Sequence, residues 1–461
     1  MWAGTAVVDR RGMRFLPAVI LPIVWAVLSA WWTPRGPLTN AEALWSIAIS
    51  AGVGVLAGRA VRSRWVILST PLLYALTLEL ARLRVSGPSV DMPQPTSFGF
   101  LALVTGRGVH GLLTLLPLVL GVMLGNGLRR RWKQVAVVVP LLAVAVVVAI
   151  PARTAPIPGG VAELAMVSAG DHELGVMIRG RDESAPVLLF VPGTPGGSEK
   201  AAMRRHLAGL EKHFVVATLD RRGGGASYQA LDPTVTVTLD DAVADVTAVT
   251  DHLRGRFRQE RIVMLAFSGG SILGALAVKQ HPEKYRAYVG TGQAVDLEAS
   301  DQIFYDDILA WARAGGRAEV ADQLAAQGRP PYADFWSYEP FMLYENQVYD
   351  QGDPVLEISA DELTLLEKAH TMVAIMDTWS ALYPRMQDTD LRRDVTSLEV
   401  PAYFIQGGNE MRGLSEVFAE WYPALVAPDK RLITIPGAGH RAMFERPDVL
   451  VATLAELFPR R

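Results

Sequence analysis

Residues 261–278 read as strand, tight turn and helix. The apolar run Ile262 to Leu265 meets Ala266-Phe267-Ser268-Gly269-Gly270-Ser271 and opens into a helix-like run from Ile272 to Val278. A serine therefore stands at the apex of a sharp turn. Small residues lie two before and two after it, Ala266 and Gly270. So tight a turn brings neighbouring backbone too close for larger side chains at those places. A serine presented in this way is a candidate nucleophile if a base and an orienting carboxylate accompany it.

The chain supplies candidates for both. Of its 8 histidines, His440 follows a strand-like run, Arg431 to Ile435, through the loop Pro436-Gly437-Ala438-Gly439. The carboxylate is expected after the preceding apolar run, Ala402 to Gln406, where Gly407-Gly408-Asn409-Glu410 stands. Glu410 is the candidate acid, and Asp296, after Tyr288-Val289-Gly290, is the alternative. Acyl transfer also needs backbone N–H groups aimed at a developing oxyanion. The apolar run Pro186 to Val191 empties into Pro192-Gly193-Thr194-Pro195-Gly196-Gly197-Ser198. The N–H groups of Thr194 and Gly269 are the candidates. A further Gly-rich loop, Asp220 to Ser227, follows the strand-like run Phe214 to Leu219. It lacks the Lys and Ser/Thr of a phosphate-binding loop and reads as a structural turn.

On these motifs the chain from about Val161 onward resembles the α/β-hydrolase superfamily, in its prolyl-aminopeptidase-like (proline iminopeptidase) branch. Members of that branch read His-Gly-Gly-Pro-Gly-Gly where this chain reads Pro192 to Gly197. They read Asp-Gln-Arg-Gly-x-Gly-x-Ser over Asp220 to Ser227, and Gly-x-Ser-Trp-Gly-Ser over Ala266 to Ser271. The departures are Pro192 for His, Thr194 for Gly, Gly269 for Trp and Glu410 for the usual Asp. The resemblance implies a mostly parallel sheet with helices on both faces, a helical lid, a Ser268–His440–Glu410 triad and no cofactor or metal. It also implies a small-molecule or short-peptide substrate whose free amine is held by acidic lid residues. The lid is expected over about 294–397, rich in aromatic and acidic residues such as Phe335, Trp336, Tyr338, Trp379, Tyr383, Asp307 and Glu345.

The first third is different. Phe15–Trp32, Ala43–Gly58, Trp65–Leu78, Gly108–Leu128 and Gln134–Ile150 are long apolar stretches with few charges. A spanning helix needs about 20 mostly apolar residues, and the pattern predicts an all-α transmembrane bundle of about five helices over 1–153. Ser97–Thr105 is too short to cross and is expected at the interface or as a re-entrant segment. Glu79 and His110 fall near the expected span ends, where interfacial water would solvate them. Arg10, Arg11 and Arg14, then Arg59, Arg62 and Arg64, then Arg129, Arg130, Arg131 and Lys133 mark the cytoplasmic side. An odd number of spans then places the hydrolase domain, 154–461, outside the cytoplasm. Pro151 to Gly160 reads as a stiff linker between the two.

The chain has 461 residues, a formal net charge of −3 and no cysteine. The charge offers nothing to nucleic acid, and without cysteine there is no disulfide framework and no thiolate nucleophile or metal site. The expected protein is an integral membrane serine hydrolase, a peptidase or amidase of aminopeptidase type. An esterase or lipase and a non-catalytic ligand-binding protein on the same fold are the alternatives, and the lipid bilayer is an expected partner.

Overall fold

The structure is a computed structural model that describes residues 10–85, 87, 93–127, 131–193, 196–232, 235–351 and 357–459. The chain divides into two compact units. The first is built on residues up to Pro93 with Phe100–Pro151 and Thr364–His370, and the second on Gln94–Gly99, Ala152–Leu363 and Thr371 onward.

The first unit is helical. Its helices are α1 (Arg10–Trp32), α2 (Asn40–Val61), α3 (Val66–Arg82), α4 (Ser97–Leu103), α5 (Val109–Gly125) and α6 (Arg131–Ala149). Thr39 starts α2 with a capping box, its hydroxyl accepting from the Glu42 N–H at 3.2 Å while the Glu42 carboxylate accepts from the Thr39 N–H at 2.9 Å. Among the described residues, four helical stretches are long and apolar enough to cross a membrane: Phe15–Trp32, Asn40–Val61, Ser97–Gly125 and Arg131–Ala149. At 17 residues α3 is shorter.

Two expectations are corrected here. Ser97–Thr105 is not a separate interfacial piece. It forms α4 and runs through one π turn, Val104–Gly108, into α5. Arg107, which breaks the apolar pattern, lies 2.6 Å from the Glu79 carboxylate, so the charge that interrupts the sequence is paired. Nor is His110 solvated at an interface: it is buried, with only 2% of its surface exposed.

Glycine fixes how α2 meets α5. A Cβ on Gly54 or Gly58 would overlap the carbonyls of Leu118 and Val122, and one on Gly121 or Gly125 would overlap those of Ala51 and Val55. The partner numbers rise together, so the two helices run parallel with backbones in contact. Asn126, just past α5, donates to the Ser63 carbonyl, just past α2, at 3.2 Å. At the other end Asn40 donates to the Ile150 carbonyl, just past α6, at 3.1 Å. The chain therefore leaves this unit beside the start of α2, and Arg62 and Asn126 mark the opposite end.

Among the described residues, the second unit is built on one eight-stranded sheet. The strands are β1 (Val161–Ala169), β2 (His172–Gly180), β3 (Val187–Val191), β4 (Val215–Leu219), β5 (Ile262–Phe267), β6 (Tyr285–Thr291), β7 (Ala402–Gly407) and β8 (Lys430–Ile435). The spatial order is β1-β2-β4-β3-β5-β6-β7-β8, antiparallel across β1-β2-β4 and parallel from β4 to β8. β3, β4 and β5 are buried at every residue, as continuous Val/Leu/Ile runs covered on both faces require. The helices are α7 (Lys200–His206), α8 (Leu239–Phe257), α9 (Gly269–Gln280), α10 (Leu297–Ala314), α11 (Ala318–Gln327), α12 (Glu339–Val348), α13 (Leu365–Met386), α14 (Leu391–Asp394), α15 (Arg412–Ala424), α16 (Ala442–Glu445) and α17 (Pro447–Leu457). Those from α10 to α14 fill the insertion between β6 and β7. The expected stiff linker is bonded to the second unit. Arg153 N–H donates to the Asp361 carbonyl at 2.8 Å, and Arg179 donates to the Ala155 carbonyl at 2.7 Å.

The α2–α5 contact is directly testable. Gly121→Ala inserts a Cβ into the Ala51 carbonyl and is expected to lower the first unit's stability by about 1–3 kcal/mol, read as thermal unfolding in detergent. Gly52→Ala, whose Cβ meets nothing within 4 Å, is expected to leave it unchanged or raise it.

Candidate active site

β5 ends at Phe267 and α9 begins at Gly269, so Ser268 alone makes the turn. Its backbone lies at φ +50°, ψ −132°, a region that costs a non-glycine residue about 1–3 kcal/mol. The surroundings hold it there. Its N–H donates to the Thr291 carbonyl at 3.0 Å, and its carbonyl accepts from the Ser271 hydroxyl at 2.5 Å. A Cβ on Gly270 would overlap the Pro192 carbonyl, and one on Gly193 would fall 2.6 Å from the Ser268 Cβ.

His440, after β8, reaches the serine. Its Nε2 is 2.9 Å from Ser268 Oγ and its Nδ1 is 2.9 Å from Glu410 Oε1. The imidazole also lies against the Phe267 ring, with centroids 5.1 Å apart. Glu410, after β7, accepts a second bond from the Met411 N–H at 2.9 Å, and its side chain is almost wholly buried. Burial works to lower the His440 pKa. The charge and hydrogen bond of Glu410, with a contribution from Glu345, outweigh it and raise it above the ordinary 6.5. Asp296, the alternative acid, is engaged elsewhere: it caps α10 by accepting from the Ala299 N–H at 3.0 Å and pairs with Arg392 at 2.5 Å.

Of the two expected oxyanion donors, Gly269 is the first residue of α9, whose first-turn N–H groups have no intrahelical partner. Thr194 lies outside the described residues. What holds the loop before it is visible. Arg221 is buried and donates to the Gly193 carbonyl at 3.0 Å. Burial lowers its pKa to about 10, which leaves it charged at neutral pH. Lys200 meets the buried Asp220 at 2.5 Å, and Asp220 also accepts from the Ala226 N–H at 2.9 Å. The Asp220–Ser227 loop thus does more than turn the chain. Sequence reasoning missed Arg221, which stands where the family pattern has Gln, so the match of this loop gave no signal for it.

The lid contributes aromatic rings and carboxylates. Phe335, Tyr338, Trp379 and Tyr383 form one cluster, with Tyr338 and Tyr383 centroids 5.2 Å apart. Asp301 is buried beside it and accepts from Tyr383 at 2.8 Å and Gln387 at 2.6 Å. Burial raises its pKa well above the carboxylate range. Glu345, on α12, is partly accessible and lies near enough for His440 to feel its charge. Desolvation pushes it up to about 7, opposed by the imidazole charge.

Comparisons with known proteins agree with this architecture. The Alpha/beta hydrolase family profile matches residues 188–453. The probable aminopeptidase YbaC of Bacillus subtilis (strain 168) is 24% identical over 301 residues, covering 63% of this chain and 94% of that protein. Among solved structures, proline iminopeptidase of Mycobacterium smegmatis is 17% identical, with a TM-score of 0.48 over 64% of this chain and 97% of that one. Carboxylesterase CesB of Bacillus subtilis is 15% identical, with a TM-score of 0.45 over 65% and 93%. The chain belongs to the alpha/beta hydrolase family and is a hydrolase.

Proposed function

We propose that the protein is a membrane-anchored serine hydrolase of aminopeptidase type, with Ser268 as nucleophile, His440 as base and Glu410 as the orienting acid. The observation that carries this is the hydrogen-bonded chain Ser268 Oγ–His440–Glu410, with both links at 2.9 Å. Glu410 accepting from Nδ1–H leaves the Nε2 lone pair facing the serine hydroxyl. Ser268 Oγ attacks the substrate carbonyl while its proton passes to Nε2. The N–H groups of Gly269 and Thr194 receive the oxyanion. His440 then gives the proton to the leaving amine as the C–N bond breaks, and water, deprotonated by His440, releases the acyl group.

Glu345 and the aromatic cluster support the aminopeptidase reading over the esterase one. A partly accessible carboxylate near the base suits a substrate's ammonium group, and aromatic rings suit the apolar body beside it. The similarity to a probable aminopeptidase points the same way.

The bundle is proposed to be the membrane domain, 1–153, followed by the hydrolase domain, 154–461, with its lid at 294–397. Arg62 and Arg64 follow α2 and Arg131 and Lys133 open α6, and the chain leaves the unit beside the start of α2. That arrangement supports an extracytoplasmic hydrolase domain by the excess of positive charge at the opposite end.

Three outcomes test this. A fluorophosphonate probe is expected to label the wild type, and Ser268→Ala to lose both label and turnover of aminoacyl amides; full activity in that variant would sink the assignment. The rate should fall as pH drops through the raised His440 pKa. Glu410→Gln should cut kcat by about 10³–10⁴-fold and move that acid limb to lower pH, because removing the anion lowers the imidazolium pKa; an unmoved limb would exclude Glu410 as the partner. Glu345→Gln is expected to raise KM about tenfold, roughly 1.4 kcal/mol, for substrates with a free amine, and to spare their N-acetylated counterparts.

A further inference from the structure

The backbone after α12 turns at Asp350, whose φ of +52° is a left-handed angle that Asp tolerates. The turn delivers Gln351 to the two loops that carry the acid and the base. Its Oε1 accepts from the His440 N–H at 2.5 Å, and its Nε2 donates to the Asn409 carbonyl at 2.8 Å and to the Tyr349 carbonyl at 3.0 Å. One lid amide therefore bonds the backbone of the base and the backbone of the residue before the acid. The approach is close enough that a Cβ on Gly439 would overlap Gln351 Oε1.

The segment that presents Gln351 is anchored on the acid side. Tyr349 donates to Asp307 at 2.5 Å, and Asp307 in turn receives Arg412, two residues beyond Glu410, at 2.8 Å. Gln351 N–H closes on the Asn346 carbonyl at 3.0 Å, which ties the turn to the same helix that carries Glu345. Every polar atom of the Gln351 side chain is committed, so its position is fixed by the two loops and theirs by it.

We propose that Gln351 is a positioning residue, through which the lid holds the Glu410 and His440 loops in the alignment that makes His440 a base toward Ser268. This rests on the triad reading given above. The two loops are joined directly by the Asn409 N–H to the Ala438 carbonyl at 2.8 Å. Gln351 adds the bond to His440 itself, and a displacement of about 1 Å at a reacting pair costs up to 10²-fold in rate.

The test uses full-length protein in detergent and the rate of fluorophosphonate labelling at saturating probe as a function of pH. Gln351→Met keeps the length and removes the bonds. It is expected to slow labelling about 10- to 100-fold at unchanged half-saturating probe concentration, and to move the acid limb to lower pH as the Glu410 contact loosens. Gln351→Glu keeps an acceptor for the His440 N–H and adds an anion, so its acid limb should move to higher pH. Opposite shifts in the two variants support the inference. A wild-type rate and profile in Gln351→Met overturns it, and so does slowing in both variants with an unmoved limb, which is the signature of a purely structural role. A wild type that does not label at all fails the triad reading instead, and Ser268→Ala run alongside separates the two failures.

Discussion

The backbone angle at Ser268 is the constraint around which the catalytic half is arranged. A φ of +50° lifts the hydroxyl clear of both strand and helix, and it persists only because neighbouring backbone over-determines it. That neighbouring backbone comes from other strands. Gly193 follows β3, Gly292 follows β6, and a Cβ on Gly292 would come within 2.9 Å of His440 Cε1. Parallel pairing brings the strand ends level, with Val191 opposite Ala266, Phe267 opposite Thr291 and Gly407 opposite Ile435. Ser268, Glu410 and His440 therefore meet at one edge because the sheet sets their loops side by side, as ligand sites in open parallel sheets do.

Electrostatics in this edge is a contest between burial and partners. Desolvation alone would leave His440 a weaker base, and the Glu410 carboxylate reverses that. Glu410 Oε1 is held in place for this by the Met411 N–H and faces His440 Nδ1, each at 2.9 Å. Desolvation raises both Asp301 and Glu345, and for Glu345 the His440 charge opposes it only in part. Asp301 has neutral donors and sits within the lid. Glu345 has partial access to solvent, which is why the proposed aminopeptidase reading turns on it.

Much of this was legible in the sequence, and the pattern of what was not is physical. Ser268, Glu410 and His440 each sit just past a run of apolar residues, so strand and loop periodicity pointed to all three in order. The contacts that fix them leave no local trace. Arg221 reaches a carbonyl 28 residues away and Gln351 reaches loops 58 and 89 residues away; neither position looks different from an ordinary loop residue in its own neighbourhood. The same blindness misread the helical unit. The partner of Arg107, Glu79, lies on another helix, and the burial of His110 is set by tertiary packing rather than by its place near an expected span end.

On the membrane placement proposed above, the helical unit is more than a tether demands, and its packing says why the extra helices are not interchangeable. One apolar helix suffices to anchor a domain in a bilayer. Between helices in lipid there is no hydrophobic driving force, so association depends on close backbone approach and interhelical hydrogen bonds. Both are present. Gly54, Gly58, Gly121 and Gly125 let α2 and α5 touch along two turns, and Trp25 on α1 donates to the Ser50 hydroxyl on α2 at 2.9 Å. Side chains at the glycine positions would force the helices apart and break the register that places Asn126 beside Ser63. A sequence selected only to stay in the membrane would have no reason to keep four glycines in two facing pairs. Their spacing argues that the bundle is a folded body of defined geometry, with its own stability.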